Sequence, residues 1–396
     1  MKSIREADLK GKKVLIRVDF NVEIDENGKV VDDFRLKATL PTLNWVLDQG
    51  AAVIVMAHLG RPFEEKEKHP EINIKERFTL KPVALRLSEL IAKDVVFVDD
   101  CAGPEAREKA GELAAGEILM LENLRFYKEE EENDREFAEK LASLGDIYVN
   151  DAFANCHRAH ASVEAITKFL PGYAGLLLAK EVENLSRAKN NPDHPLVILI
   201  GGAKISTKIK LIQNFLGKAE HILLGGALAN TVLQSQGVAI GRSLTEEKML
   251  VEVKNLNITE TKIHLPVDVI LAKDKKGEGE CYSGPVGKVG EDEFILDIGP
   301  DTEALFAKII QSAKMVVWNG PVGLFETAKT SHGTQAMAKA IAESSAYSIV
   351  GGGETVTYLE KNNLVDKFSF VSTGGGAMME FLSGEPMPGL KALEEN

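Results

Sequence analysis

Short apolar runs recur along the chain, each closing on a polar or glycine-rich stretch and leading into a segment with helical spacing. In the first half these are VLIRVDFN (14–21), AAVIVMAHLG (51–60), VVFVDD (95–100), EILMLENLRF (117–126) and DIYVNDAF (146–153). Helical patterns such as KATLPTLNWVLDQG (37–50) and KPVALRLSELIAKD (81–94) lie between them. The second half repeats the theme with PLVILIGGAK (195–204), HILLGGALAN (221–230), KIHLPVDVIL (262–271), KMVVWNGPVG (314–323), AYSIVGGGET (346–355) and FSFVSTGGGA (368–377). Near-continuous apolar strands alternating with helices predict parallel sheets covered on both faces. The fold expected is α/β, with two doubly wound parallel-sheet (Rossmann-like) domains. A helical stretch followed by the proline-broken AKNNPDHPL (188–196) predicts a connector. The expected division is a first domain over 1–175, an interdomain helix over 176–191 and a second domain over 192–382.

Length supports two domains, since 396 residues exceed one ordinary core. Apolar residues at 44% and charged residues at 27% describe a globular chain. No apolar run approaches a membrane span, and the start MKSIREADLKGKK lacks the apolar stretch of a secretory signal. Cys101, Cys156 and Cys281 are far apart and odd in number, which predicts free thiols in a reducing, cytoplasmic setting. The sequon Asn257-Ile258-Thr259 then carries no meaning, and the acidic run from Tyr127 reads as a solvated face. A net charge of −13 argues against nucleic acid or an acidic membrane as partner. It does not oppose a small anion, because screening over about 8 Å lets a local basic cluster prevail.

Such a cluster is predicted where parallel strands end, the usual place for ligands. In the first half those ends carry Arg17, Asp19 and Asn21, then His58 and Arg61, then Asn123 and Arg125, then His157, Arg158 and His160. Arg35 opens the helix after the first strand. Guanidinium forks grip carboxylate and phosphate oxygens in pairs, so this half is suited to a small polyanion. The competing reading is scattered surface arginine, and successive strand ends argue against it. His157 and His160 as metal ligands would be only two where three or four are needed. In the second half the ends are glycines: Gly201-Gly202, Gly225-Gly226, Gly320, Gly351-Gly352-Gly353 and Gly374-Gly375-Gly376. Glycine lets amides approach a ligand, and a helix opening behind it adds its positive end, as in nucleotide sites. Glu354 is placed to hold Mg²⁺ through oxygen, and Glu326 to accept from ribose hydroxyls. Lys204 and Lys208 follow the first glycine pair and, on a helix, would share one face. No G-x-G-x-x-G, Walker, protein-kinase or nucleophile-elbow signature is present. A polyanion site in one half and a nucleotide site in the other point to phosphoryl transfer, with closure about a hinge bringing the reactants in line.

The ordered motifs RVDFNV, AHLGRP, LMLENLRF, VNDAF with HRAHAS, GGAK with its second lysine, LPVD, LDIGP, WNGPVGLFE, GGGET and STGGGA resemble the phosphoglycerate kinase family over nearly the whole chain. The resemblance implies reversible transfer of the acyl phosphate of 1,3-bisphosphoglycerate to MgADP in glycolysis, by a cytoplasmic monomer. It implies 3-phosphoglycerate contacts for Asp19, Asn21, Arg35, His58, Arg61, Arg125 and Arg158, with Arg17, His157 and His160 in the surrounding basic patch. Catalytic roles fall on Arg35, Lys204, Lys208 and Gly375. The nucleotide falls to Gly202, Gly225, Gly226, Ile295, Asn319, Glu326, Gly352, Gly353, Glu354, Thr355, Gly374 and Gly376, with Glu354 on the metal. A tail over 383–396 is expected to fold back onto the first domain. The chain departs from the pattern at Glu23, Ala154, Asn155, Cys156, Thr207, Ile295 and Glu354. Three of those lie on the nucleotide side, which motivates the alternative of a non-catalytic nucleotide or sugar-phosphate sensor on the same fold.

Overall fold

The computed structural model describes residues 1–255 and 261–396, so the sequon at 257–259 lies outside the described residues. The chain divides into two compact units, Met1–Glu183 with Pro386–Asn396, and Asn184–Glu385. The boundary between Glu183 and Asn184 falls inside the helix Leu176–Asn190. Among the described residues no helix is long and apolar enough to cross a membrane.

The first unit is built on strands β1 (Lys13–Arg17), β2 (Ala52–Met56), β3 (Val95–Val98), β4 (Ile118–Leu121), β5 (Ile147–Asn150) and β6 (Gly172–Ala174). They form one parallel sheet in the order β3-β4-β2-β1-β5-β6. β2 and β4 are buried throughout, as strands covered on both faces must be. The helix Phe34–Asp48 buries Leu36, Thr39, Leu43, Val46 and Leu47, at the three- and four-residue spacing of one helical face. Register decides what happens at the rim. Arg17 pairs with Met56 on one side and Asn150 on the other, so β1, β2 and β5 end level. The loops that follow therefore leave the sheet side by side.

The second unit has a parallel sheet of β7 (Leu196–Ile200), β8 (His221–Leu224), β9 (Ile263–His264), β13 (Met315–Asn319), β14 (Tyr347–Gly351) and β15 (Phe370–Val371). The order is β15-β14-β13-β7-β8-β9. Here too the central strands end level, Asn319 pairing with Ile200 and with Gly351. Between β9 and β13 lies a small antiparallel sheet of β10 (Asp268–Ala272), β11 (Cys281–Pro285) and β12 (Phe294–Ile298), ordered β11-β10-β12. The sequence reads KIHLPVDVIL as one strand. The structure splits it between two sheets, because Pro266 has no amide to continue a ladder. Three strands are not expected from the sequence, β11, β12 and the three-residue edge strand β6, and none of them carries an apolar run longer than three residues.

Candidate functional site

In the first unit the level strand ends gather the predicted basic residues. Arg17, the last residue of β1, is 1% exposed. Its Nε donates to Ser162 Oγ at 2.8 Å, its NH1 donates to the Val18 carbonyl, and its NH2 lies 3.1 Å from His58 Nδ1. Ser162 in turn donates from Oγ and from its amide to Glu130 at 2.6 and 3.0 Å. Arg17 is thus a buried strut beneath the rim. Arg35, half-buried at the start of its helix, pairs with Asp19. Asn21 Oδ1 accepts from the Gly60 amide at 2.7 Å, and Arg125 NH1 donates to the Gly60 carbonyl at 2.7 Å. Asn123 staples the same loops, accepting from Leu59 and Arg125 amides and donating to Leu59 and Phe78 carbonyls. Arg61 is exposed and pairs with Glu64 at 2.8 Å. Arg158 Nε donates to His157 Nε2 at 3.0 Å.

The electrostatics tie these side chains into one cluster. Burial, then the charge of Arg17, holds the His58 pKa well below its ordinary value, with Arg125, His160 and Arg35 adding to it. His157 is pushed down to about 4 by burial and then by Arg158. His160 is pushed to about 3 by burial, Arg17, Arg125 and Arg158. Glu130 stands 3.8 Å from His160 Nδ1, too far to hydrogen-bond, and that nitrogen is buried without a partner. Burial lowers Arg125 to about 10, and Glu131, 3.1 Å from its Nε, opposes that shift without reaching hydrogen-bond geometry. The imidazoles are neutral and the guanidiniums crowd one another. A ligand with several negative oxygens would relieve both strains. His157 and His160 follow a short 3-10 turn rather than sharing a helix, and no cluster of three or more metal-ligating side chains occurs among the described residues. Cys156, buried, has its thiol pushed up to about 12 by burial and is inert as a nucleophile.

In the second unit the glycines bring backbone to backbone. A Cβ on Gly201 would fall 2.0 Å from the Pro321 carbonyl oxygen. Gly320, at φ +92°, leaves room for Gly201 and for the Lys208 ammonium, which a Cβ would meet at 2.5 and 2.6 Å. Lys208 Nζ donates to the Gly201 carbonyl at 2.5 Å and lies 3.5 Å from that of Asn319. Burial lowers its pKa to about 8, and Glu354 pulls the other way. The helical placement of the lysine pair is corrected by the structure. The helix is Ile209–Leu216, Lys208 is its N-cap, and Lys204 lies in the preceding turn, exposed. The turn is held by Lys208 itself, whose amide donates to the Ile205 carbonyl at 2.8 Å, and by Ser206 on Glu246.

Three helices start on this rim from glycine N-caps that have no side-chain cap: Gly226–Ser235 at Gly225, Gly353–Lys361 at Gly352 and Gly376–Ser383 at Gly375. First amides are the groups that bind anions at helix starts, but in the helix Gly226–Ser235 the Gly226 and Leu228 amides already donate to the Val322 and Gly202 carbonyls at 2.6 and 3.0 Å. Around Gly353, Gly375 and Gly376 there is open space. The Gly374 amide donates to Ser372 Oγ at 3.0 Å. Thr355 is buried and its hydroxyl accepts from the Gly320 amide at 2.9 Å, so its side chain braces the loop instead of facing a ligand. Asn319 Nδ2 is buried without a partner beside Gly352.

A cavity of about 390 Å³ opens next to these loops. Its wall includes Gly202, Gly226, Ile295, Glu326 and Glu354, and Ile295 forms part of an apolar side with Leu296, Val322 and Leu324. Lys204, Lys208, Gly225, Asn319, Gly352, Gly353, Thr355 and Gly374 to Gly376 are not in that wall. Sequence reasoning missed Arg242, Leu244 and Lys275 in the wall, which come from loops without a motif. It also missed Glu130 and Ser162, whose roles depend on contacts 32 residues apart. Magnesium in nucleotide sites takes one or two carboxylates and completes its shell from phosphate and water. The exposed Glu354 carboxylate, on the first turn of an uncapped helix, fits that donor set.

The chain matches the family model for phosphoglycerate kinase over residues 4–385. It is 46% identical to a phosphoglycerate kinase of Moorella thermoacetica, over 99% of each chain. It is 43% identical to that of Pelotomaculum thermopropionicum, over 99% of this chain and 98% of the relative. Among solved structures it superposes on phosphoglycerate kinase from Coxiella burnetii with a TM-score of 0.85 and 41% identity, over 99% of this chain and 98% of the other. The structure from Pyrococcus horikoshii gives 0.88 at 33% identity, over 100% and 98%.

Proposed function

The chain belongs to the phosphoglycerate kinase family, and we propose how its residues divide the family's work. The reaction is glycolytic: the acyl phosphate of 1,3-bisphosphoglycerate passes reversibly to ADP, giving 3-phosphoglycerate and ATP. The first unit takes the phosphoglycerate and the second takes the nucleotide. The observation that carries this division is the arginine crowd around three neutral histidines in the first unit, against uncapped glycine helix starts in the second.

Arg61, Arg125 and Arg158 grip the carboxylate and phosphate of the acid, with Asp19, Asn21 and His58 setting its orientation. Arg17, His157 and His160 shape the floor. Glu326 accepts from ribose hydroxyls, the apolar wall with Ile295 receives the base, and Gly202, Gly225 and Gly226 let the nucleotide lie close to the backbone. Asn319, Gly352, Gly353, Thr355, Gly374 and Gly376 support the phosphate end. The acid bound on the first unit and the nucleotide on the second must meet in line for transfer. An acyl phosphate has a good leaving group, and the attacking oxygens are already ionised, so no general base is needed. Charge stabilisation is the main requirement. Arg35, Lys204, Lys208 and the amides at Gly375 supply it around the phosphoryl in flight. Glu354 would hold the magnesium that accompanies the nucleotide, and the ion would supply neutralisation of phosphate charge. The protein works as a cytoplasmic monomer without nucleic-acid partners.

A coupled assay with 3-phosphoglycerate, MgATP and a dehydrogenase reporter tests this assignment. Arg35→Ala should lower kcat by about a hundredfold or more, the scale of losing one charge donor to a transition state. Turnover of Arg35→Ala at the unmodified rate would remove Arg35 from the mechanism.

A further inference from the structure

The helix Leu176–Asn190 begins in the first unit and runs on into the second, so its two ends are held by different parts of the chain. Its start is tied to the end of β5. The Gly175 amide donates to the Asn150 carbonyl at 2.8 Å. The Leu176 amide donates to Thr42 Oγ1 at 3.0 Å, and the Leu178 amide to Asp151 Oδ1 at 3.1 Å. These are amides that a helix start otherwise leaves unpaired. Asp151 is itself fixed, its own amide donating to the Arg17 carbonyl at 2.8 Å. The approach is close enough that a Cβ on Gly175 would lie 2.0 Å from Asp151 Oδ1.

Asp151 is fully buried, and no cation compensates it. Burial raises its pKa to about 7, while Thr42 and the Leu178 and Leu177 amides pull it down. Oδ2 has no hydrogen-bond partner of normal geometry. Its pKa is set by burial, the Thr42 hydroxyl and those two amides, with no contribution from a charged side chain. The carboxylate is therefore held for its hydrogen bonds to a helix start, not for an ion pair. The far half of the helix is gripped in the second unit. Tyr347 donates its hydroxyl proton to Asn184 Oδ1, and the Arg187 guanidinium stacks 4.1 Å over the Tyr347 ring.

We propose that Asp151 is a positioning residue for phosphoryl transfer, locking the start of this through-running helix to the loop that bears His157, Arg158 and His160. That loop leaves β5 directly after Asp151, so one buried side chain joins a ligand-facing loop to the element leading into the second unit. The inference rests on the assignment of that loop to the phosphoglycerate side. Asp151 reaches no ligand; it acts through the helix.

The test separates kcat from binding in the full chain. Wild-type turnover and 3-phosphoglycerate binding by calorimetry come first, and absence of either refutes the site assignment rather than this inference. Asp151→Ala is expected to lower kcat tenfold or more while its Kd for 3-phosphoglycerate stays within threefold. Asp151→Asn keeps an oxygen for the Leu178 amide and should restore kcat to within threefold of wild type. The inference is overturned if Asp151→Ala keeps kcat within twofold, if kcat and affinity fall by one common factor, or if Asp151→Asn is as slow as the alanine variant. Should Asp151→Ala not fold, Thr42→Val removes the acceptor for Leu176 at nearly constant volume. A threefold or larger loss of kcat at unchanged Kd then supports the inference, and an unchanged kcat overturns it.

Discussion

Lys208 holds a positive charge against two carbonyls in a glycine cradle, with burial working against that charge. Its folded pKa of about 8 lies below the unfolded value near 10.5. Between those values the unfolded chain binds more protons, so raising the pH through this window relieves a cost in the ligand-free fold. A bound polyphosphate favours the ammonium and draws the pKa back up. Binding of MgADP at pH 8.5 should therefore take up a proton, and at pH 7, where Lys208 is already charged, almost none. Calorimetry in two buffers of different ionisation enthalpy reads the uptake directly. Heats independent of buffer at pH 8.5, or an unchanged uptake in Lys208→Met, would assign the proton elsewhere. At this scale the residue types of both candidate sites were legible in the sequence, because Arg, His, Lys and Gly at strand ends announce themselves. Burial was not legible. Nothing in RVDFN reveals that Arg17 is a strut bonded to Ser162, nor that Thr355 faces inward, since both facts depend on partners far along the chain.

The glycine loops differ in what they hold open. Gly320 makes room for protein: its left-handed φ of +92° and its contacts with Gly201 and Lys208 exclude a side chain. Gly353 faces open space at the start of its helix. Gly320→Ala should cost about 2 kcal/mol or more of stability in denaturant unfolding, from strain and clash together. Gly353→Ala should leave stability within about 0.5 kcal/mol, as exposed sites do, yet weaken MgADP binding measured by calorimetry. Equal effects of the two substitutions on stability would contradict this division. Periodicity located the buried parallel strands well, since they must be apolar along their length. It failed where tertiary context overrode it. KIHLPVDVIL broke at Pro266, β6 was too short to signal, and the lysine pair expected on a helix lies ahead of it because the chain first makes a turn anchored by Ser206 and Glu246.

At the scale of the molecule, the two sheets use one device twice. Central strands end level, so loops from distant segments meet. The first unit is completed by the segment Pro386–Asn396. The Gly389 amide donates to the Cys156 carbonyl at 2.9 Å, and Asn396 accepts from the Gly172 amide at 2.7 Å. A Cβ on Gly389 would lie 2.6 Å from Val163 Cγ1 and 3.0 Å from Cys156 Cα. Gly389→Val should lift this segment and expose Cys156, so that thiol titration of the native protein counts one more reactive group than in wild type. An unchanged count with an unchanged Tm would show that the segment does not shield the thiol.

That arrangement also sets an order of events during synthesis. Every residue of the second unit leaves the ribosome before the segment that completes the first. The first unit must wait for Pro386–Asn396, with Cys156 and its neighbours uncovered until that segment arrives. The unit made first is the one finished last, and a chaperone that recognises its open face would have the whole time of translating the second unit in which to bind.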